Sequence, residues 1–251
     1  MYSVVNPTIF DIHYLNKNAK IVIMGISPGR TQTKVKAKDT EIDLMTLPKE
    51  ERNKICAFAG KLRENLIDML NKICIHKLLG IDNCESLWGN DFELVNHTSI
   101  LPYSTIKCRR EKWLDSPSDI DKVLKENKTT NYKSGGYISS ITYSAILKSD
   151  LLREEVFSLT LQDLKFFSKA GTPIIALGHS VYKILSEINN KEKLGLIIIP
   201  FVHPSMQNKS SGLIDIFLGE KMPNGGTASI NAKEFGLIAK QMVKELMGKL
   251  C

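Results

Sequence analysis

The stretch IVIMGISPGR, residues 21–30, joins a run of apolar residues to a loop that contains glycine, serine and proline. A short, continuous run rich in β-branched residues is typical of a strand buried on both faces of a parallel sheet. Glycines after such a strand allow a sharp turn or a close approach of the backbone to a ligand. We therefore predict that Gly25 to Gly29 follow a buried strand, either as an ordinary turn or as a ligand-binding loop.

Three further segments share the strand pattern, and helical patterns lie between them. The predicted strands cover residues 19–26, 92–101, 172–178 and 194–202, and the helical patterns cover residues 49–75, 151–170, 180–188 and 231–250. This alternation predicts a three-layer α/β/α sandwich with a central four-stranded, mainly parallel sheet. Residues 103–148 are polar and glycine-rich, so we expect a single domain over 1–251 with an inserted or embellished connection there.

Composition and charge narrow the class of protein. The 251 residues are 43% hydrophobic, as in a folded globular protein, and 34 Lys and Arg against 27 Asp and Glu give a net charge of +7. This excess favours an anionic partner such as nucleic acid, a nucleotide or an acidic membrane surface. No apolar run approaches the roughly 18 residues of a membrane span, and the first residues lack the pattern of a secretory leader. We expect a cytoplasmic monomer that does not bind membranes.

The five cysteines are scattered, with no C-x-x-C pair among them. Zinc and iron-sulfur sites usually need such closely spaced ligands. We therefore expect reduced thiols, no metal and no cofactor.

Unusual residues follow each of the four predicted strands. In open parallel sheets, ligands bind beyond the carboxyl ends of the strands. Taken singly, each group is typical of a turn or of a structural histidine, but together they predict a binding site at this edge. The four groups are Gly25 to Gly29, Asn96-His97-Thr98, Gly178-His179-Ser180 and His203-Pro204-Ser205.

Two of these groups resemble motifs of the uracil-DNA glycosylase superfamily. Gly25-Ile26-Ser27-Pro28-Gly29 resembles its first motif, in the G-x-N-P-G form of the mismatch-specific and single-strand-selective branches, and His203-Pro204-Ser205 resembles its second. Residues 57–75 are similar to the F-x-G-x-x-G-x-L-L helix of the thermostable branch, with Phe58 at the aromatic position. The resemblance touches all four strands and one helix, whereas residues 103–148 have no counterpart.

The resemblance implies a DNA base-excision glycosylase. Such an enzyme flips a damaged base, for example uracil, out of single- or double-stranded DNA into a pocket and hydrolyses its N-glycosidic bond. His203 would stabilise the negative charge that develops on the departing base, unless it is a structural histidine. Phe58 would form a stacking floor, unless it is only an apolar helix residue. Asn96 would read the base edge with its amide, or else satisfy backbone groups at a strand end, and Thr98 replaces it if the register is shifted by two.

The remaining candidates would line the pocket or contact the DNA backbone. Gly25, Ile26, Pro28 and Gly29 would bind substrate through the motif loop, where exposed N–H groups attract anions. Basic residues and one serine are candidates for phosphate contacts, against the alternative of a solvated basic surface. These candidates are Ser205, Arg30, Lys34, Lys36, Arg109 and Arg110.

Ser27 departs from the family pattern. Efficient members have Asp there, and weaker branches Asn, to position the attacking water. A serine hydroxyl is not a base near neutral pH, although it can hold a water by hydrogen bonds. We therefore expect a slow enzyme or one of altered specificity. The cluster-ligating cysteines of the thermostable branch are also missing, which removes any basis for predicting iron and sulfur.

Three functions remain open at this point. The chain is a DNA glycosylase, a catalytically silent nucleic-acid-binding relative, or a nucleotide or small-metabolite enzyme of another α/β family. In the third case the 25–33 loop only holds a phosphate, but neither a G-x-x-x-x-G-K-S/T loop nor a G-x-G-x-x-G fingerprint is present. Ser27 is the residue that separates the first two hypotheses.

Overall fold

The computed structural model describes residues 2–5, 14–27, 46–101, 105–107, 113–114 and 143–249. Its strands are β1 (Tyr2–Val5), β2 (Ile21–Gly25), β3 (Val95–Ser99), β4 (Thr105–Lys107), β5 (Trp113–Leu114), β6 (Ile174–Leu177) and β7 (Ile198–Phe201). A four-stranded, all-parallel sheet has the order β3-β2-β6-β7. The four predicted strands are confirmed, each lying inside its predicted segment.

A second, smaller sheet was not predicted from the sequence. It has three strands in the order β4-β1-β5, with β1 antiparallel to β4 and parallel to β5. Two of its strands come from the polar connection at 103–148. The described part of that connection therefore pairs with the first strand of the chain.

Helices cover the segments between the strands. They are α1 (Lys49–Cys56), α2 (Lys61–Lys72), α3 (Ile75–Leu79), α4 (Tyr143–Lys148), α5 (Asp150–Glu155), α6 (Leu161–Ala170), α7 (His179–Glu192), α8 (Met206–Ser210), α9 (Leu213–Leu218) and α10 (Thr227–Gly248). Short 3-10 turns span Cys84–Trp88 and Phe92–Leu94, and a π-helical turn, Val156–Thr160, joins α5 to α6.

The helical pattern at 49–75 is divided into three helices. Left-handed backbone conformations interrupt it at Phe58, with φ of 54°, at Gly60, with φ of 79°, and at Cys74, with φ of 69°. Only glycine adopts this region without steric cost. The break at Phe58 therefore marks a constrained loop between α1 and α2.

Side chains of the parallel sheet alternate between two apolar layers. Ile21 and Ile23 face a cluster built with α2, α3, α9 and α10, whereas Val22 and Met24 face one built with α5, α6 and α7. Both faces of the sheet are thus covered, which makes the protein an α/β protein consistent with a three-layer arrangement. Within the described residues, every helix is too short or too polar to cross a bilayer.

Three cysteines lie in the described part of the chain, and all three are free. Cys56 and Cys84 are buried and Cys74 is half-buried. Burial raises the pKa of the Cys56 thiol to about 11, so it is neutral at physiological pH. Cys108 and Cys251 lie outside the described residues.

Candidate functional site

The carboxyl ends of all four parallel strands meet at one edge of the sheet. Gly25 lies opposite Ser99 in the register of β2 and β3, and Leu177 lies opposite Phe201 in that of β6 and β7. The first segment that resembles a family motif begins at Gly25, the last residue of β2, and the second begins at His203, two residues after β7 ends. Both therefore leave the sheet at the edge where ligands of parallel sheets bind.

Phe58 packs against Gly25 at this edge. A Cβ on Gly25 would lie 3.2 Å from Phe58 Cε1 and 3.5 Å from Ser99 Oγ. The Phe58 side chain is buried, with 6% of its surface exposed. The structure therefore brings Phe58 and the first motif together, and the absence of a side chain on Gly25 lets the ring lie this close.

Arg63 and Trp88 hold the loop that carries Phe58. The carbonyl oxygen of Ala57 accepts hydrogen bonds from Arg63 Nε (3.2 Å), Arg63 Nη2 (2.7 Å) and Trp88 Nε1 (3.0 Å). Arg63 Nη2 also donates to the carbonyl of Ile55 at 2.8 Å. Burial lowers the pKa of the Arg63 guanidinium to about 10, which leaves it charged at neutral pH. Charge-assisted hydrogen bonds from Arg63 thus hold the backbone that precedes Phe58 in place.

His97 lies in an aromatic enclosure next to Phe58. Its ring stacks on Trp88, with centroids 4.4 Å apart and planes at 20°, and makes an edge contact with Phe58 at 5.9 Å and a tilted contact with Phe92 at 5.7 Å. Burial, with a smaller effect of the Arg63 charge, lowers the pKa of His97 well below its usual value of 6.5. The imidazole is therefore neutral at physiological pH.

Asn96 is not at the carboxyl end of its strand, which corrects the predicted position. It is the second residue of β3, pairs with Val22, and is 1% exposed. Its Oδ1 accepts a hydrogen bond from the backbone N–H of Asn16 at 2.7 Å. The amide thus satisfies a backbone group, as in the alternative weighed from the sequence, and its oxygen is not free to read a base.

Ser99 takes the edge position expected of Asn96, although it was not among the residues predicted for the site. Alternation along β3 puts Ser99 on the same face as His97, whereas Asn96 and Thr98 point to the other face. Within the described part of the chain, no hydrogen bond uses the Ser99 hydroxyl. Strand alternation could have grouped Ser99 with His97, but only the register with Gly25 shows which residue reaches the edge.

His203 packs against Gly178, which follows β6. Gly178 has φ of 97°, and a Cβ on it would lie 3.3 Å from His203 Cβ. Burial lowers the pKa of His203, so its imidazole is neutral at physiological pH and carries one N–H donor. The His203 carbonyl accepts from Asn208 Nδ2 at 2.8 Å, and the Pro204 carbonyl accepts from Asn65 Nδ2 at 3.0 Å. The side-chain amides of Asn208 and Asn65 therefore hold the backbone of the second motif in place.

Ser205 and Ser180 have different roles at helix starts. Ser205 caps α8, because its Oγ accepts from the backbone N–H of Asn208 at 3.4 Å. Ser180 instead lies in the first turn of α7, which begins at His179 with Gly178 as its N-cap residue. His179 is exposed and stacks on Phe235, with ring centroids 5.7 Å apart.

The described part of the first motif ends at Ser27. Ile26 and Ser27 are half-buried, and the Ile26 carbonyl accepts a hydrogen bond from the Leu101 N–H at 2.9 Å. The Ile26 side chain packs against the apolar layer that contains Val22. The other predicted substrate and DNA contacts lie outside the described residues and stay predictions: Pro28, Gly29, Arg30, Lys34, Lys36, Arg109 and Arg110.

Comparison with known proteins shows that part of the chain is similar to a bacterial protein. No family model matches the chain, and no solved structure matches it. YoxB of Bacillus subtilis (strain 168), described as an uncharacterized protein, is 32% identical to it over 141 residues. That match covers 54% of this chain and 46% of YoxB. The chain therefore aligns with less than half of the relative's length.

Proposed function

We propose that this protein is a DNA base-excision glycosylase with a uracil-DNA glycosylase-like fold. The observation that carries the proposal is that two side chains each pack against a glycine at one sheet edge. Phe58 packs against Gly25, and His203 packs against Gly178. An aromatic floor and a hydrogen-bond donor are what a pocket for a flipped base requires. The enzyme acts as a monomer, in the cytoplasm, on single- or double-stranded DNA.

Cleavage of the N-glycosidic bond leaves negative charge on the base and positive charge on the sugar. The neutral His203 imidazole donates its N–H to the base oxygen that gains charge, a type of interaction worth roughly 3 to 4 kcal/mol. A rigid His203 loop serves this role, since Asn208 and Asn65 hold its carbonyl groups. The donor is then in place before the bond breaks.

Two serines complete the proposed site. Ser27 lies two residues after the end of β2 and holds the attacking water by hydrogen bonds, without the negative charge of a carboxylate. Ser99 lies beside Gly25 and Phe58 and contacts the base edge with its hydroxyl. The single hydroxyl oxygen can donate or accept by rotation of its hydrogen, whereas an amide has a separate donor and acceptor. Ser99 therefore discriminates between bases less strictly than an amide.

A catalytically silent DNA-binding relative is the second candidate. Ser27 favours it, because a serine offers no electrostatic stabilisation to a positively charged sugar. In that case the edge still binds an extrahelical base, but the bond is not hydrolysed.

The test is a base-release assay on single- and double-stranded oligonucleotides that carry uracil, hypoxanthine or xanthine, with DNA binding measured in the same samples. We expect slow release by the native protein and a loss of about 100-fold in His203→Ala, the scale of a lost oxyanion donor. His76→Ala is the control, since His76 lies on α3, which packs against α2 and α10. DNA binding without base release supports the silent relative. The absence of both binding and release supports a metabolite enzyme of another family.

A further inference from the structure

The imidazole of His97 is buried without hydrogen bonds. Only 2% of its surface is exposed, and neither Nδ1 nor Nε2 has a partner among the described residues. A neutral imidazole carries one donor and one acceptor, and burying both unpaired is unfavourable. A phenylalanine ring would fill the same aromatic enclosure without that cost. Packing alone therefore does not account for a histidine at this position.

His97 lies directly below the sheet edge, on the side of Phe58. It pairs with Ile23, two residues before the Gly25–Ser99 pair. At the rise of a strand, this places it about 7 Å below the edge. A planar ring that enters beside Ser99 and lies along Phe58 would direct its inner end toward His97.

The His97 ring is held in a fixed plane. Trp88 stacks on it at 4.4 Å, and Arg63 lies over the Trp88 ring at 5.5 Å. Asn53 Nδ2 donates to the backbone carbonyl of His97 at 3.0 Å, which fixes the strand at this point. The nitrogens of His97 can therefore hydrogen-bond a ligand only in the plane of the His97 ring, and stacking on Trp88 fixes that plane.

Phe58 separates His97 from the edge, and its backbone is strained. A φ of 54° is unfavourable for a bulky side chain, and such outliers cluster at ligand-binding sites. The Phe58 ring contacts Gly25 at the edge and His97 below it, so a ligand that reaches His97 from Ser99 must displace this ring. The strained residue is thus the one that must move when a ligand enters.

We propose that His97 is a specificity-determining residue that hydrogen-bonds the inner polar edge of the bound base. This inference rests on the proposed function. The ligand is a planar nitrogen heterocycle with an N–H or carbonyl group at its inner end. The Ser99 hydroxyl contacts the same ring nearer the edge, so that the two residues together select the base.

The test combines histidine ring ¹⁵N NMR with base binding. The native protein is titrated with free uracil, hypoxanthine and xanthine, and His97 is identified as the signal missing from His97→Phe. We expect the His97 ring-nitrogen signals to shift on saturation with the preferred base. We also expect His97→Phe to bind that base about tenfold more weakly, with equal or higher thermal stability. His76→Phe is the matched control, and His97→Gln assigns the signal if His97→Phe does not fold.

The contrary outcomes are distinct. If the native protein releases or binds a base while the His97 signals stay unchanged and His97→Phe keeps the same preference, His97 has only a packing role and the proposed function stands. If the native protein neither binds nor releases any base, this inference and the proposed function both fail.

Discussion

The Phe58 ring lies so close to Gly25 that a methyl group on Gly25 would stand 3.2 Å from Phe58 Cε1. This contact joins the loop between α1 and α2 to the first residue of the motif that follows β2. The position of the aromatic ring at the sheet edge therefore depends on a glycine at position 25.

Gly25→Ala is expected to displace the Phe58 ring by a few tenths of an ångström. We predict about tenfold weaker base binding, with a change in the free energy of unfolding below about 1.5 kcal/mol. Isothermal titration with a free base and urea denaturation measure the two effects. Gly226→Ala is the control, since its φ of −73° and ψ of 148° suit alanine and its added Cβ would make an ordinary contact, 3.4 Å from Asn224 Oδ1. Unchanged base binding in Gly25→Ala would show that the ring position does not matter.

Arg63→Ala is expected to release the loop that carries Phe58. It leaves backbone carbonyls of α1 without their charge-assisted donor, at a cost of about 2 to 4 kcal/mol in the free energy of unfolding. Urea denaturation measures this cost. Lys61→Ala, which removes only an exposed pair with Glu64, is the control and should change stability by less than about 0.5 kcal/mol. Equal stabilities of the two variants would contradict the role assigned to Arg63.

The four strands of the parallel sheet could be predicted because each is a continuous apolar run, the signature of burial on both faces. The small sheet could not, since β4 and β5 have only 3 and 2 residues and lie in a polar segment. The break in the helical pattern at Phe58 could not be predicted from the sequence either. A left-handed phenylalanine has no local signal, and only the contacts of Arg63 and Trp88 with the Ala57 carbonyl account for it.

The sheet edge where the candidate residues lie could be predicted from the sequence. Phe58 lies there beside Gly25 and His203 beside Gly178, whereas their role in a site stays a prediction. The position of Asn96 was wrong because the apolar run at 92–101 does not show where β3 begins and ends. The first residues of that run form a 3-10 turn instead, Phe92–Leu94. Ser99 was missed for the same reason, since the register between β2 and β3 is a tertiary property.

Gly236→Ala is expected to destabilise the protein strongly. An added Cβ would lie 1.8 Å from the Phe217 carbonyl oxygen, so α9 and α10 would have to separate. We predict a loss of more than about 3 kcal/mol in the free energy of unfolding. Gly248→Ala in the same helix meets nothing within 4 Å and is the control. A loss below about 1 kcal/mol in Gly236→Ala would show that this helix contact is looser than described.

His97 is expected to make the protein sensitive to acid. Its pKa in the folded state is well below 6.5, so below that pH the unfolded chain binds a proton that the folded chain does not. The free energy of unfolding therefore falls as the pH drops below about 6.5, by at most about 1.4 kcal/mol per pH unit for this group. Urea denaturation between pH 7.5 and pH 5 should show a shallower fall in His97→Phe. Parallel pH profiles would contradict the burial of a neutral imidazole.

The most direct test of the proposed function is single-turnover release of uracil by Ser27→Asp. A carboxylate at position 27 would stabilise the positive sugar and orient the attacking water, which the native serine does less well. We predict release at least about 100-fold faster than by the native protein, lost again when His203→Ala is added. No release by either the native protein or Ser27→Asp, under conditions in which both are folded, would contradict a glycosylase site at this sheet edge.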